Sequence, residues 1–398
     1  MINAAAPRLG LVVNPVAGLG GPAGLKGSDG AAIQAAARAA GVRARAGERA
    51  RQALESLPAG TPVLTGPGDL GEDVTREAGM VPVPVDLPDP TGTGADTRVV
   101  TAALVAAGAE LVLFAGGDGT ARDVAAGLTV SGSRIPVLGV PAGVKMYSAC
   151  FAVSPQAAGA LAADLLVGAA TLVDAEVLDV DEEQVRTGRV DPRLFALVRT
   201  PAHPQRSQGR KVATPTGDGA AVASVVAGLA AQLRPGVTYL VGPGGTTAAL
   251  LRHLGLSGTP LGVDVLRDGE LLATDMDETT ALAAVGASPE GTGGTDGHDR
   301  PGAGVVVGVV GGQGFLFGRG NQQLSARVLT AALGDADHLA RDRLLVGATE
   351  RKLTELGGRP LLIDTGEPGI DLALSGMLRV TTGPGRTSMY PATAANGV

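Results

Sequence analysis

An aspartate surrounded by glycines is the residue whose setting points most directly to chemistry. The run consists of Gly116, Gly117, Asp118, Gly119 and Thr120, and the apolar stretch Leu111 to Ala115 precedes it. The stretch predicts a buried strand, and a helix is expected after the run. Glycines let backbone N–H groups close on phosphate oxygens, and a helix start adds partial positive charge. A carboxylate beside phosphates is repelled unless it binds a metal or accepts a proton from an attacking hydroxyl, so Asp118 is the candidate general base.

Two plainer interpretations of this run stay open. Asp118 could serve only a turn, because aspartate tolerates positive φ better than most residues. Thr120 and Asp123 have the spacing of a helix N-cap and its N3 partner, which favours a capping role for Asp123 over a catalytic one.

A second glycine-rich loop follows the predicted strand at Arg8 to Asn14. Its candidate phosphate contacts are Asn14, Gly18, Gly20 and Gly21. Residues 18–23 also fit the dinucleotide pattern G-x-G-x-x-A, but Pro22 interrupts it, and no acidic residue ends a second strand about 20 residues further on. A hydride-transferring Rossmann site is therefore disfavoured.

Lysine is rare in this chain, and two of its four positions lie in glycine-rich segments at predicted strand ends. Lys26 lies within residues 24–30, and Lys145 within residues 139–148. A compact ammonium group neutralises phosphate as a point charge, so both are candidate ligand contacts. The alternative for each is a solvated loop lysine.

In the second half, residues 242–247 lead from a predicted strand into a predicted helix. This arrangement suits an anion or an adenine ribose, with Gly244, Thr246 and Thr247 as the contacts. An ordinary helix cap is the alternative.

The densest cluster of glycines and polar residues spans residues 311–323. The amide side chains of Gln313, Asn321 and Gln322 are suited to recognising hydroxyls or a carboxamide of an acceptor substrate. A tight β-hairpin is the alternative.

The order of predicted elements indicates two domains, as expected for 398 residues. Strands alternate with helices over residues 1–165, which predicts an α/β N-terminal domain with a mainly parallel sheet. Residues 166–385 predict a β-rich (α+β) C-terminal domain, in which residues 286–304 form a mobile loop. Residues 386–398 are expected to form a loose tail.

Composition excludes several classes of protein. A net charge of −7 without a block of lysine or arginine argues against nucleic acid or an anionic membrane as the main partner. The single cysteine, Cys150, fits a reducing cytosol, and no apolar stretch is long enough for a signal or spanning helix, so we expect a cytoplasmic protein. The four histidines lack metal-ligand spacing, so we expect any metal to arrive with a nucleotide.

The run GGDGT after an apolar strand resembles the NAD kinases and their relatives, the diacylglycerol kinases and 6-phosphofructokinases. A fuller set of segments resembles the ATP-NAD kinase-like branch that includes the acetoin catabolism protein X group, over most of the chain. These segments are NPVAGLGG, LKGSDG, GGDGTARDV, GVPAGVKMYSACFA, GPGGTTAAL, LGVDV and GGQGFLFGRGNQQLS. The resemblance implies an N-terminal α/β domain, a β-rich second domain and a ligand between them. It also implies that Asp118 activates the adenosine ribose 2′-hydroxyl of NAD for attack on a terminal phosphate, with Mg²⁺ and ATP.

The sequence departs from this family in two segments. The usual Asn-acid pair has no clear equivalent, because Asp179, Asp181 and Glu182 lack the asparagine. The usual segment with Ser-Thr-Ala-Tyr is also missing, and residues 214–219 or 242–247 are the candidates to replace it. Three hypotheses therefore stay open: a kinase that phosphorylates NAD from ATP or polyphosphate, an accessory or sensor protein that binds NAD or ATP without catalysis, and a kinase for another hydroxyl substrate, such as a lipid or a polyol. Edge strands in the second half also favour a homo-oligomer.

Overall fold

The computed structural model describes residues 9–19, 44–143, 146–179, 193–203, 205–208, 219–286 and 303–397. The chain divides into two compact units, whose described residues lie within 9–208 and 219–397. Several sequence predictions fall outside the described residues. These are residues 287–302 of the predicted mobile loop and the candidates Gly20, Gly21, Lys26 and Lys145.

The first unit is built on a parallel sheet of five strands in the order β3-β2-β1-β4-β5. The strands are β1 (Leu9–Val13), β2 (Pro62–Thr65), β3 (Val81–Pro84), β4 (Leu111–Gly116) and β5 (Val137–Pro141). The helices are α1 (Ala46–Leu54), α2 (Glu72–Glu77), α3 (Gly94–Ala106), α4 (Asp118–Ser131) and α5 (Pro155–Leu166). The predicted α/β domain with a parallel sheet is confirmed.

Continuous apolar runs place β1 and β4 in the middle of this sheet. Every residue of both strands is buried, as is usual for parallel strands that are covered on both faces. The Phe114 ring of β4 meets Phe151 edge to face, with 5.3 Å between ring centroids. Since all five strands point the same way, the loops after β1, β4 and β5 meet at one edge of the sheet.

A two-stranded antiparallel sheet also belongs to the first unit. It is formed by β6 (Thr171–Asp179) and β7 (Arg193–Ala202). Ala175, Val177 and Val198 from these strands lie in the same buried cluster as Phe114. The sequence placed a domain boundary at residue 165, before both strands, whereas this shared core keeps them in the first unit.

The second unit contains a nine-stranded sheet in the order β10-β9-β8-β11-β13-β15-β16-β14-β12. Its strands are β8 (Thr238–Val241), β9 (Val263–Arg267), β10 (Glu270–Met276), β11 (Ala303–Gly308), β12 (Phe315–Phe317), β13 (Leu344–Gly347), β14 (Leu361–Ile363), β15 (Gly376–Gly383) and β16 (Arg386–Ala394). Its helices are α6 (Gly219–Ala230), α7 (Gly245–His253), α8 (Glu278–Gly286), α9 (Ala326–Leu333), α10 (Glu350–Glu355) and α11 (Pro368–Leu374). The predicted sheet-rich second domain is confirmed.

The middle of this sheet is parallel, because β8, β11, β13 and β15 all run in one direction. The following strand, β16, is antiparallel to β15 and parallel to β14. β16 replaces the loose tail that the sequence predicted for residues 386–398. Buried Ala392 and Ala394 alternate with more exposed residues along it, so the strand has one face to bury.

Membrane-spanning helices were searched for separately. No helix in the described part of the chain combines the length and the apolar character needed to cross a bilayer.

Candidate functional site

The loops after three neighbouring strands of the first unit are joined by backbone hydrogen bonds. After β1, the Asn14 N–H donates to the carbonyl of Ala115, at 3.0 Å. After β5, the N–H groups of Ala142 and Gly143 both donate to the carbonyl of Gly116, each at 3.0 Å. The glycine run after β4 therefore lies between the other two loops, at the edge where parallel sheets bind ligands.

The helix after this run begins earlier than the sequence indicated. Gly117 is the N-cap of α4, and Asp118, Gly119 and Thr120 form its first turn. The predicted N-cap role of Thr120, with Asp123 as its partner, was therefore wrong. Asp123 lies in the second turn, and its Oδ1 is 3.2 Å from the Nε atom of Arg98. Since the N-cap Gly117 has no side chain that could bond to them, the first N–H groups of α4 remain suited to an anion.

The Asp118 carboxylate is held by the backbone of the loop after β5. The Tyr147 N–H donates to Oδ2 at 2.6 Å, and the Ser148 N–H donates to Oδ1 at 3.0 Å. The residue is half-buried, at the first position of α4, where the helix dipole favours a negative charge. Both oxygens thus have a fixed direction at the edge of the sheet.

A side-chain hydrogen bond connects two of the glycine loops. Asn14 Nδ2 donates to Thr120 Oγ1 at 2.9 Å, and Asn14 Oδ1 accepts from the Val16 N–H at 3.2 Å. Asn14 therefore orders its own loop and fixes the buried threonine of α4.

Close backbone approach explains two of the glycine positions. A Cβ on Gly143 would lie 2.6 Å from the Cα of Gly117. Gly18 has φ +85°, and a Cβ there would lie 2.7 Å from the carbonyl oxygen of Ala142. The loops after β1, β4 and β5 can approach this closely only because these residues lack side chains.

The negative charge of Asp118 affects two neighbouring groups. Burial, with the Asp118 carboxylate as the second cause, raises the pKa of Tyr147 to about 12. The same two causes raise the pKa of the Cys150 thiol, which is fully buried. Both groups are therefore neutral at physiological pH.

In the second unit, the loop after β8 also leads directly into a helix. The Gly244 N–H donates to the Pro260 carbonyl at 3.0 Å, and Thr247 Oγ1 donates to the Gly244 carbonyl at 3.0 Å. Gly244 is the N-cap of α7, and no side chain caps this helix. Thr246 is buried, with its Oγ1 3.8 Å from a Cβ placed on Gly308 at the end of β11. The predicted strand, glycine loop and helix are therefore present.

The amide cluster of the second unit forms turns on either side of β12. Gln313 lies in the turn before this strand, and Asn321 and Gln322 lie in the turn after it. Asn321 Oδ1 accepts from the Gly318 N–H at 2.9 Å, and its Nδ2 donates to the Leu316 carbonyl at 2.7 Å. Both polar atoms of this side chain thus stabilise the turn itself.

A buried ion pair in the same region was not expected from the sequence. Arg319 Nη1 lies 3.0 Å from Asp364 Oδ2, and the guanidinium carbon lies 4.1 Å from the centre of the Phe315 ring. Such a pair fixes the segment after β12, because an arginine so fully buried requires a partner.

The described candidates of the first unit therefore lie together, and those of the second unit lie in the loop after β8 and in the turns on either side of β12. The first unit combines Asn14, Gly18, Gly116, Gly117, Asp118, Gly119 and Thr120. Sequence reasoning missed Tyr147 and Ser148, the residues that orient Asp118. They lie in the segment GVPAGVKMYSACFA, but only its lysine was selected, because backbone N–H donors leave no mark in residue type.

Comparison with protein-family models gives two matches. The model of the ATP-NAD kinase N-terminal domain matches residues 9–170, and that of the ATP-NAD kinase C-terminal domain matches residues 234–392. Comparison with curated proteins and with solved structures found no match. The two domain models cover most of the chain in the expected order, and the chain belongs to the NAD kinase-like family.

Proposed function

We propose that this protein is a kinase that transfers a phosphoryl group from ATP, or from polyphosphate, to the adenosine ribose 2′-hydroxyl of NAD and so forms NADP. The family match supports phosphoryl transfer of the NAD kinase type. One observation carries the proposal to a residue: the Asp118 carboxylate, fixed by two backbone N–H groups beside an uncapped helix start. The carboxylate would act as a proton acceptor, and the N–H groups at the helix start would bind phosphate.

The role of Asp118 in this reaction is to accept the proton of the attacking hydroxyl. The hydroxyl oxygen bonds to the terminal phosphorus, the bond from that phosphorus to the bridging oxygen breaks, and the donor leaves as ADP or as a shortened polyphosphate. Such a reaction needs mainly positioning and charge stabilisation. A carboxylate has roughly four acceptor directions, and the bonds from Tyr147 and Ser148 use two of them.

Backbone groups at the same edge are the proposed contacts to the phosphates. The first turn of α4 offers the N–H groups of Gly119 and Thr120. Asn14, Gly18, Gly116 and Gly117 shape the loops on either side of them. Gly20, Gly21, Lys26 and Lys145 remain sequence-based proposals for the same role.

A magnesium ion fits this arrangement if it arrives with the nucleotide. Among the described residues, no group of three or more histidine, cysteine, aspartate or glutamate side chains could hold a metal ion. Mg²⁺ commonly binds through one or two carboxylates together with substrate phosphates, and half-buried Asp118 offers one such carboxylate. The ion would neutralise charge on the transferring phosphate.

The second unit offers candidate nucleotide contacts of its own. Gly244, Thr246 and Thr247, at the uncapped start of α7, suit a phosphate or a ribose. Gln313 and Gln322 are proposed to contact the acceptor. Asn321 retains this role only through its backbone or through a rearranged turn, because its amide is committed to Gly318 and Leu316.

A second candidate function, nucleotide binding without catalysis, is favoured by a specific observation. Both oxygens of Asp118 already fix the loop at Tyr147 and Ser148, so the carboxylate has a structural role whether or not it takes a proton. An accessory or sensor protein could retain it for that reason alone. The two functions differ in whether a phosphorylated product is formed.

Turnover with a panel of acceptors tests the proposal. Purified protein is incubated with Mg²⁺, with ATP or polyphosphate as donor, and with NAD, NADH or other small hydroxyl compounds, and the phosphorylated product is measured. We expect NADP from NAD. Calorimetric binding of ATP and NAD without any product would instead establish the binding protein, and product only from another acceptor would retain the kinase but replace NAD.

Two broader features belong to the same proposal. The protein is proposed to act in the cytoplasm on small nucleotide substrates, which its single cysteine and acidic balance support. We also propose a homo-oligomer, and measuring the mass in solution tests it.

A further inference from the structure

Ser148 connects the candidate catalytic carboxylate to the rest of the first unit. The residue has no exposed surface, and its N–H donates to Asp118 Oδ1 at 3.0 Å. Its hydroxyl and its carbonyl group also form hydrogen bonds. The direction of Asp118 therefore depends on what holds Ser148.

Strand β6 holds the side chain of Ser148. The Leu178 N–H donates to Ser148 Oγ at 2.9 Å, and one residue further along the loop the Ala149 N–H donates to the Glu176 carbonyl at 2.9 Å. These bonds are made in the buried core of the unit, where an alternative partner from water is scarce.

Residues 205–208 hold the carbonyl of Ser148. Gln208 is buried, and its Nε2 donates to the Ser148 carbonyl at 3.4 Å. Its N–H donates to the Phe151 carbonyl at 2.8 Å, and Ser207 forms an antiparallel bridge with Ala152. This short segment therefore runs along the loop that carries Ser148 and fixes it at several points.

The segment that includes Gln208 lies between the two matched regions, which end at residue 170 and begin again at residue 234. It nevertheless belongs to the first compact unit. Its contacts with the loop around Ser148 indicate a role for this segment that the family match does not cover.

We propose that Ser148 and Gln208 are positioning residues for Asp118: Gln208 and β6 fix Ser148, and Ser148 in turn fixes the carboxylate in the direction needed to receive the proton of the acceptor. This inference rests on the proposed function. Neither residue needs to touch the substrate, because each acts through Asp118. A displacement of about 1 Å at a reacting group can reduce a rate roughly a hundredfold, so loosening this support should lower kcat.

Two variants test the proposal, and each has a matched control. Ser148→Ala removes the acceptor of the Leu178 N–H, while Gln208→Glu retains the shape of the side chain and removes its donor. Ser154→Ala is the control for the first, since Ser154 is equally buried in the same unit but caps α5 through the Ala157 N–H. Gln232→Glu is the control for the second, since the Gln232 amide donates to Gly228 and Thr381 in the second unit.

We expect both test variants to lower kcat about tenfold to a hundredfold, with little change in the KM for ATP. Both controls should retain kcat even where their unfolding temperature falls. In an Asp118→Asn background the effect of each test variant on kcat should disappear, because residues that act through one group are non-additive. If the losses multiply instead, or if kcat is unchanged, the proposal is overturned.

Hydrogen exchange provides a second measurement that does not depend on turnover. The amides of Tyr147 and Ser148 donate to Asp118, so we expect them to exchange faster in both test variants and not in the controls. Unchanged exchange at these two amides would overturn the positioning role. If the wild-type protein lacked turnover, the proposed function would fail, whereas the exchange data would still decide whether Ser148 and Gln208 fix the carboxylate.

Discussion

The loops that begin α4 and α7 have the same plan and differ at the first residue of the helix. Each follows a buried strand that pairs in parallel with a neighbouring strand, and each has as its helix N-cap a glycine, which has no side chain to cap the helix. The first helix starts with Asp118, whose carboxylate accepts two backbone hydrogen bonds. The second starts with Gly245, around which a Cβ would find no atom within 4 Å. The first loop therefore holds a carboxylate with a fixed direction, whereas the second has no side chain at the matching position.

This difference shows what a glycine loop needs beyond its glycines. Backbone N–H groups at a helix start suit phosphate in both units. A chemical role needs in addition a side chain with a fixed direction, and a second loop must supply the hydrogen bonds that fix it. In the first unit the loop after β5 does so through Tyr147 and Ser148.

The largest effect is expected from adding a methyl group where the loops of the first unit touch. In Gly143→Ala the new Cβ would lie 2.6 Å from the Cα of Gly117, so one loop must move. We expect kcat to fall at least about a hundredfold and the free energy of unfolding to fall by about 1 to 3 kcal/mol. Urea unfolding and the phosphotransfer assay measure both quantities.

Gly245→Ala is the matched change in the second loop. It has open space for the new methyl group, so its unfolding free energy should stay within about 0.5 kcal/mol of wild type. If Gly143→Ala and Gly245→Ala lowered the free energy of unfolding equally, the two loops would not differ in packing.

A smaller effect should appear in the pH dependence of stability. The pKa of Tyr147 is raised to about 12 in the folded protein from its usual value of 10.0, first by burial and then by Asp118. A raised pKa means that the folded state binds this proton more tightly. The resulting stability is complete below pH 10 and is lost as the pH rises from 10 towards 12, by at most about 2 to 3 kcal/mol.

Tyr147→Phe should flatten this part of the profile, because its ring cannot ionise. Urea unfolding at intervals between pH 9 and pH 11.5 measures the two slopes. If the free energy of unfolding fell with the same slope in both proteins, ionisation of Tyr147 would not contribute to the pH dependence.

The smallest effect concerns one threonine in the first turn of each helix, Thr120 in α4 and Thr246 in α7. Thr120 Oγ1 accepts a hydrogen bond from Asn14 Nδ2, so Thr120→Val should cost about 1 kcal/mol and loosen the loop after β1. Thr246 Oγ1 has no hydrogen bond to another described residue, so Thr246→Val should leave the free energy of unfolding within about 0.5 kcal/mol. Thermal unfolding of both variants distinguishes them, and a reversed order would contradict the comparison.

The sequence predicted the first unit well because its strands are short and continuously apolar. β1 and β4 were expected within one residue of their observed ends, and runs such as Leu111 to Ala115 allow few alternatives. Several elements escaped prediction in the second unit. β13 to β16 include short or half-exposed strands, whose burial depends on partners distant in sequence.

At the candidate site, residue types were predicted from sequence and their hydrogen bonds were not. Asp118, Asn14 and Thr120 were selected because carboxylate, amide and hydroxyl groups have recognisable chemistry. The start of α4 was misplaced, because Thr120 and Asp123 imitate a capping pair that the glycine at 117 makes unnecessary. Tyr147 and Ser148 donate hydrogen bonds from their backbone N–H groups, and the Gln208 side chain donates one to a backbone carbonyl. Such bonds depend on the folded positions of the loops, which residue types do not reveal.

The central claim is that phosphoryl transfer depends on the Asp118 carboxylate, and a single substitution tests it most directly. Asp118→Asn retains the size of the side chain and one acceptor oxygen, but it removes the base. Steady-state NADP formation from Mg·ATP and NAD is measured for this variant and for wild type, with calorimetric ATP binding as the control for folding. The account predicts that kcat falls by about two to four orders of magnitude while ATP still binds. An Asp118→Asn variant that retains the wild-type kcat would contradict it.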